Sequence, residues 1–249
     1  MHVYIYDSFL NQKKYDRILA QIETRLTDLG LNGKISRLGI MKNVKEVVTD
    51  ELKRGAKTIV AVGNNLTVNR IVNSLPNFDI PLGIIPIDET KNSIAKSLGI
   101  FNELNACEIL SARRITKIDL ALANNLYFLA EATTPSQEAT LEISKNYTIE
   151  IIEPGWIKII NLPPGENVSS IKEKISPQDG ILELIIETKR SKKIFTRKLN
   201  QSIFSLKKAI VKNKKFPVLL DDCLTISSPV TFNVMRQKLK VIVGKSRKF

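Results

Sequence analysis

Three polar strings follow apolar, β-prone runs in the first hundred residues, and their residue types suit phosphate or metal binding. Asp7-Ser8 follows HVYIY, Gly63-Asn64-Asn65-Leu66-Thr67 follows TIVAV, and Asp88-Glu89-Thr90-Lys91-Asn92 follows LGIIPI. A glycine turn that opens a helix leaves backbone N–H groups and a positive dipole end for an anion. Asn64, Asn65, Thr67, Thr90 and Asn92 can hydrogen bond to a nucleotide, and Lys91 supplies a point charge for a phosphate. Asp7 stands where the first run ends, while Asp88 and Glu89 are carboxylates of the kind that hold a hard cation such as Mg²⁺. Taken alone, a single glycine in such a turn is a weak signal, and helix capping by Asn or Thr with ordinary turn chemistry explains the Gly63 string without a ligand. His2 is the sole histidine, so Ser-His-Asp hydrolysis, HExxH zinc chemistry and a histidine base are excluded as classes. Cys107 and Cys223 have no CxxC partner and read as small packed residues in a reducing compartment.

The elements that must position these strings alternate between strand and helix. His2 to Tyr6 is a short β-former run, and Leu19, Ile22, Leu26 and Leu29 repeat along one face of a helix from about Asn11 to Leu29, which Gly30 stops. A strand near Lys34 to Leu38 precedes a helix from about Val44 to Arg54. Thr58 to Val62 is almost wholly apolar, as a strand buried on both faces of a parallel sheet must be. A helix at about Thr67 to Leu75, a strand at Leu82 to Ile85 and a helix at about Asn92 to Leu98 follow. This order predicts an α/β N-terminal domain with an open parallel sheet, whose ligands gather beyond the carboxyl ends of the strands.

From about residue 105 the pattern changes to short β-rich segments. These are Lys117 to Ala123, Asn125 to Ala130, Tyr147 to Ile152, Ile157 to Ile160, Ile181 to Glu187, Ile194 to Leu199, Val230 to Val234 and Leu239 to Val243. Turn residues such as Pro154-Gly155, Pro163-Pro164-Gly165 and Asp179-Gly180 separate them, so an all-β, sandwich-like C-terminal domain is expected. The domains are placed at 1–104 and 105–249, and the 249 residues, 43% apolar and 25% charged, suffice for two cores.

Charge is distributed unevenly. Residues 1–188 sum to −2, and residues 189–249 to +15, with 17 basic and 2 acidic side chains. A basic C-terminal region attracts nucleic acid, nucleotide phosphates or an anionic membrane surface, and a solvated face kept for solubility has the same composition. The aromatic residues of that region, Phe195, Phe204, Phe216, Phe232 and Phe249, are scattered, which argues against specific nucleic-acid recognition. No basic stretch leads into a long apolar run at Met1, and no 18-residue apolar run occurs, so a soluble, cytoplasmic chain is expected, with peripheral membrane contact through its basic end.

Several strings resemble one family in order along the chain. Ala61 to Leu75 (AVGNNLTVNRIVNSL) resembles the AVGGDGTVNEVVNGL type of segment of the diacylglycerol kinase catalytic-domain family, lipid kinases that share a fold with NAD kinases. Pro81 to Ile100 resembles PLGIIPLGTGNDFARALGI with one residue more in the loop. Ala106 to Leu129 is similar to the family's basic segment, IDLG and N-x-x-F strand, and Gln178 to Glu187 to its DGKLDVVVV strand. Pro217 to Leu224 (PVLLDDCL) falls where the family has P-x-x-x-DGE-P, ahead of L-x-V-x-V, here Leu239 to Val243.

The resemblance implies ATP and Mg²⁺ as cofactors and transfer of a phosphoryl group to a lipid hydroxyl, with Asp7, Gly63 to Thr67 and Thr90 to Asn92 around the nucleotide. It also marks departures. In the family the GGDGT turn approaches the phosphates and its carboxylate serves the metal; here Asn64, Asn65 and Leu66 replace glycine, aspartate and glycine. An amide lacks the charge that Mg²⁺ requires. Where the family's DGE places its glutamate base, this chain has Asp221, Asp222 and Cys223, so Asp221 or Asp222 would have to serve. Asp88 and Glu89 would be the replacement metal ligands. Two functions remain open at this point: a lipid kinase, and a catalytically inactive nucleotide- or lipid-binding pseudokinase with a regulatory or scaffold role. A homodimer is left open as well.

Overall fold

The computed structural model describes residues 1–39, 43–87, 91–143, 147–164, 175–189 and 199–249. They form two compact units, one of Met1–Ile118 with Lys238–Lys248, the other of Asp119–Pro163 with the described part of Ser169–Gln237.

In the first unit, β1 (His2–Tyr6), β2 (Gly33–Arg37), β3 (Thr58–Gly63) and β4 (Leu82–Pro86) pair in parallel in the order β2-β1-β3-β4. Every residue of β3 and β4 is buried, as their apolar composition requires, whereas β2 at the edge alternates between exposed and half-buried positions. Full burial of each Ile or Val contributes about 1.5–3 kcal/mol, so the central strands fix where the loops emerge. Helix α1 (Asp16–Asp28) buries Leu19, Ile22 and Leu26, the face read from the sequence, but the preceding residues form two 3-10 turns, the first capped by the Asp7 side chain. Helices α2 (Val44–Lys53), α3 (Asn65–Val72) and α4 (Ser93–Ser97) lie where the periodicity places them, with α3 beginning two residues earlier than expected.

Helix α5 (Glu103–Ala112) was not expected from the sequence. It buries Ala106, Cys107, Ile109 and Leu110, while Arg25 of α1 holds its Glu108, so it lacks a clean apolar stripe. A Cβ at Gly83 of β4 would stand 2.5 Å from the Leu110 side chain, so α5 packs closely against the sheet. That packing carries the first unit through Ile118, where the sequence reading sets the boundary at 104/105.

In the second unit, β5 (Ile115–Ala123) enters from the first unit and pairs with β6 (Leu126–Phe128). One antiparallel sheet contains β7 (Glu131–Pro135), β10 (Gly155–Ile160), β11 (Leu182–Lys189), β12 (Leu199–Leu206), β14 (Val218–Leu220) and β15 (Leu224–Ile226), in the order β12-β11-β10-β7-β14-β15. A second antiparallel set runs β9 (Tyr147–Ile151), β8 (Ala139–Ile143), β13 (Lys208–Asn213) and β16 (Val230–Ile242). Both contribute to one buried cluster that includes Leu141, Ile157, Leu184, Val211 and Leu220, with Phe128 and Phe232 edge to face at 5.9 Å. An all-β unit thus follows an α/β unit, as the sequence predicts.

The two β segments read at Val230–Val234 and Leu239–Val243 belong to one strand. Exposed residues Arg236 to Lys238 and a φ of +46° at Gln237 interrupt its pattern. Buried Asp119 stabilises that irregularity: its carboxylate accepts the Gln237 and Gly180 N–H groups, each at 2.6 Å. Of the expected β segments, residues 194–198 lie outside the described residues.

Candidate functional site

The turn from β3 into α3 is built by four residues that were singled out in the sequence. Gly63 has φ +156°, and a Cβ there would lie 2.2 Å from Thr67 Oγ1, so only glycine lets the turn close on its own helix. Asn64 is the N-cap: its Oδ1 accepts the N–H of Leu66 at 3.1 Å and of Thr67 at 3.3 Å. Thr67 Oγ1 in turn accepts the Asn64 N–H at 3.2 Å, completing a capping box. The same hydroxyl donates to Asp7 Oδ2 at 2.7 Å, and Asp7 Oδ1 accepts from Ser8 Oγ at 3.2 Å. Asp7 is buried just after β1, where its N–H donates to the Val62 carbonyl of β3 at 3.1 Å, and the Thr67 hydroxyl adds a side-chain link from the start of α3 to this carboxyl end of the paired strands.

Asn65 is 2% exposed. Its Nδ2 donates to Ser93 Oγ at 2.8 Å, its Oδ1 accepts the Ile94 N–H at 3.3 Å, and its own N–H donates to the Lys91 carbonyl at 2.9 Å. The amide therefore ties the start of α3 to the start of α4. Lys91 contributes a carbonyl here and keeps an exposed side chain, and Asn92 is buried with its carbonyl accepting the Lys96 N–H. The structure brings Asp7, Gly63, Asn64, Asn65, Thr67, Lys91 and Asn92 into one region; Asp88, Glu89 and Thr90 lie outside the described residues. Ser93 and Ile94 were not foreseen as partners of Asn65, and no local pattern links residues 28 and 29 positions apart.

The consequence for an anion is direct. The N–H groups of Asn64, Asn65, Leu66 and Thr67 all point to acceptors of the protein itself. At a phosphate-binding helix start these are the donors a phosphate would take, and here the Asn64 side chain stands in for the anion. Among the described residues no three His, Cys, Asp or Glu side chains converge as a metal site, and Asn65 offers a neutral oxygen already engaged by a backbone N–H. The described residues do not fit Mg²⁺. A groove of about 750 Å³ elsewhere in this unit, lined by Lys34, Arg37, Glu46, Asp50 and Glu51 among others, contains none of the expected residues.

The C-terminal carboxylates lie in the second unit. Asp221, buried at φ +47°, accepts the N–H groups of Leu129 at 2.8 Å, Ala130 at 2.7 Å and Glu131 at 3.0 Å. It holds the link from β6 to β7 with both oxygens. Asp222, at φ +57°, is exposed beside it. Glu131, which the sequence reading missed, has its carboxyl raised above the ordinary range, first by burial and then by the Asp222 charge. Its position in a β run concealed it, because only the pairing of chain segments brings residues 131 and 222 together.

An α/β unit with a glycine turn into a helix is followed along the chain by an antiparallel β unit. Residues 2–123 match the diacylglycerol kinase catalytic domain, and through this segment the chain belongs to that family. The fold is shared with a crystal structure of a diacylglycerol kinase from Bacillus anthracis strain Sterne, at 17% identity and a TM-score of 0.75, covering 98% of this chain and 97% of that one. A candidate diacylglycerol kinase from the same strain gives 15% identity and a TM-score of 0.76 over the same shares. No curated protein matches the chain.

Proposed function

We propose that this chain is a lipid-directed, catalytically silent member of the diacylglycerol kinase family, a regulatory or scaffold protein on the cytoplasmic side of an anionic membrane. The observation that carries this reading is the engagement of all four N–H groups from Asn64 to Thr67 by the protein's own acceptors, with a hydrogen-bonded amide at Asn65 where the family resemblance places a carboxylate. Phosphoryl transfer depends on positioning and on neutralising charge, so a turn that neither cradles the triphosphate nor holds Mg²⁺ removes both contributions. Asp221 supports the same reading, since three backbone N–H groups occupy the carboxylate that would otherwise serve as base.

The test uses labelled ATP, Mg²⁺ and diacylglycerol in anionic vesicles, with the unaltered protein, the Asn65→Asp variant and the triple variant Asn64→Gly, Asn65→Asp, Leu66→Gly. The unaltered protein is expected to give phosphatidic acid at the level of a protein-free blank. Its melting temperature is expected not to respond to ATP with Mg²⁺ more than to ATP alone. Product above the blank from the unaltered protein overturns the reading and restores the kinase.

A further inference from the structure

We infer that the outer edge of β2 pairs with the same edge of a second copy of this chain, antiparallel about a two-fold axis at Ile35. Strand β2 ends its sheet, with β1 on one side and no described strand on the other. Leu38 donates its N–H to the Tyr6 carbonyl at 2.9 Å, and backbone groups alternate in direction along a strand, so Lys34 and Ser36 also face β1 while Gly33, Ile35 and Arg37 turn theirs outward. Such an open row of donors and acceptors is a template for another strand.

Proteins commonly guard an edge with charged side chains, and β2 carries Lys34 and Arg37. Both are drawn aside. Lys34 is held by Glu51, an acid of α2 whose side chain is only 5% exposed, while Arg37 is held by Glu23 of α1 at 3.2 Å and lies over the Tyr6 ring at 5.1 Å. What remains at the middle of the strand is Ile35, 40% exposed. The groove of about 750 Å³ described above opens on this strand, lined by Lys34, Ile35, Ser36 and Arg37 together with residues of α2.

The register selects the occupant. Gly33 and Arg37 are spaced evenly about Ile35, so a two-fold axis there sets the outward N–H and C=O groups of each copy against those of the other. Across it Ile35 meets its own copy, Lys34 stands opposite Ser36, and Arg37 stands opposite Gly33, which has no side chain to obstruct it. No like charges face each other, and an apolar pair sits at the centre. The two copies of α2 then run in opposite senses, which turns the Glu46 end of one toward the Lys53 and Arg54 end of the other. A strand of unrelated sequence matches none of these positions. The inference is independent of phosphoryl transfer and of the lipid-directed reading.

The full chain is followed by light scattering and by amide hydrogen exchange at rising protein concentration. Expected are a rise toward twice the chain mass and, in step with it, protection of the Ile35 and Arg37 amides, whereas those of Ser36 and Leu38 are protected throughout. Ile35→Lys sets like charges opposite each other and should weaken association about tenfold or more, with Ile35→Val within about threefold of the unaltered protein. Ile35→Pro removes only an outward N–H, which an edge strand tolerates, and should bring a loss like that of Ile35→Lys. Position 35 is exposed, so unchanged melting of the monomer certifies the variants, and the exchange arm needs no variant. A synthetic peptide of residues 32–38 should compete with the dimer, and the same residues in shuffled order should not. A monomer at every concentration, with Ile35 and Arg37 amides that exchange freely, overturns the inference. A dimer that leaves those amides unprotected overturns it as well, by moving association to another surface, and equal competition by the shuffled peptide replaces the second copy with extended strands in general.

Discussion

Thr67 donates its hydroxyl proton to the Asp7 carboxylate at 2.7 Å, with both residues buried and separated by 60 positions in the chain. This bond holds the carboxyl end of β1 to the start of α3, and it forms because Gly63 lets the turn fold back on Thr67. Thr67→Val keeps the shape and removes the hydroxyl, leaving a buried carboxylate short of a donor and Asn64 N–H short of an acceptor. A loss of about 1–3 kcal/mol is expected in chemical denaturation, with Thr67→Ser near the unaltered protein. Equal stability of Thr67→Val would show that the bond is unimportant.

Gly63→Ala should be at least as harmful. The added Cβ meets Thr67 Oγ1 at 2.2 Å and Thr67 Cβ at 2.9 Å, and relief requires the capping box to open. The expected cost is about 1–3 kcal/mol, read as a lower denaturation midpoint at unchanged slope.

Asp221 and Asp222 should separate cleanly on substitution. Asp221→Ala abandons three N–H groups, two of them from buried residues, and should destabilise by about 3–5 kcal/mol, whereas exposed Asp222→Ala should change stability by less than about 0.5 kcal/mol. Thermal melts of the two variants decide the matter.

Glu131 sets a pH dependence. Burial and the Asp222 charge raise its carboxyl in the folded state, so folding favours the protonated form. Its stabilising contribution is complete below the ordinary glutamate value of 4.5 and is lost as pH rises through the elevated folded value. Glu131→Gln should therefore melt above the unaltered protein at pH 7, with the difference closing near pH 4.5. A difference that grows on acidification would contradict the assignment.

The two thiols should differ in reactivity. Cys107 is buried in α5 and its thiol is pushed up to about 11, chiefly by burial, while Cys223 is only half-buried. A thiol reagent at pH 8 should modify Cys223 in the folded protein within minutes and Cys107 only after denaturation. Two fast thiols in native buffer would contradict the packing of α5.

The sequence by itself determined the features with local causes. The apolar run Thr58 to Val62 had to be a central strand, Leu19, Ile22 and Leu26 had to face a core, and the alternation of elements before residue 100 required a parallel sheet, all of which the structure has. Motif order along the chain likewise sufficed to place it in its family. Helix α5 escaped notice because it packs against both a helix and a strand, so its apolar residues do not form one stripe. Tertiary structure alone decided what the polar residues do. Asn65 could have faced a ligand as readily as Ser93 and Ile94, and Asp221 could have been a base as readily as an acceptor for Leu129, Ala130 and Glu131. Hydrogen bonds are short-ranged and directional, so their partners are set only when distant segments have been brought within about 3 Å of one another.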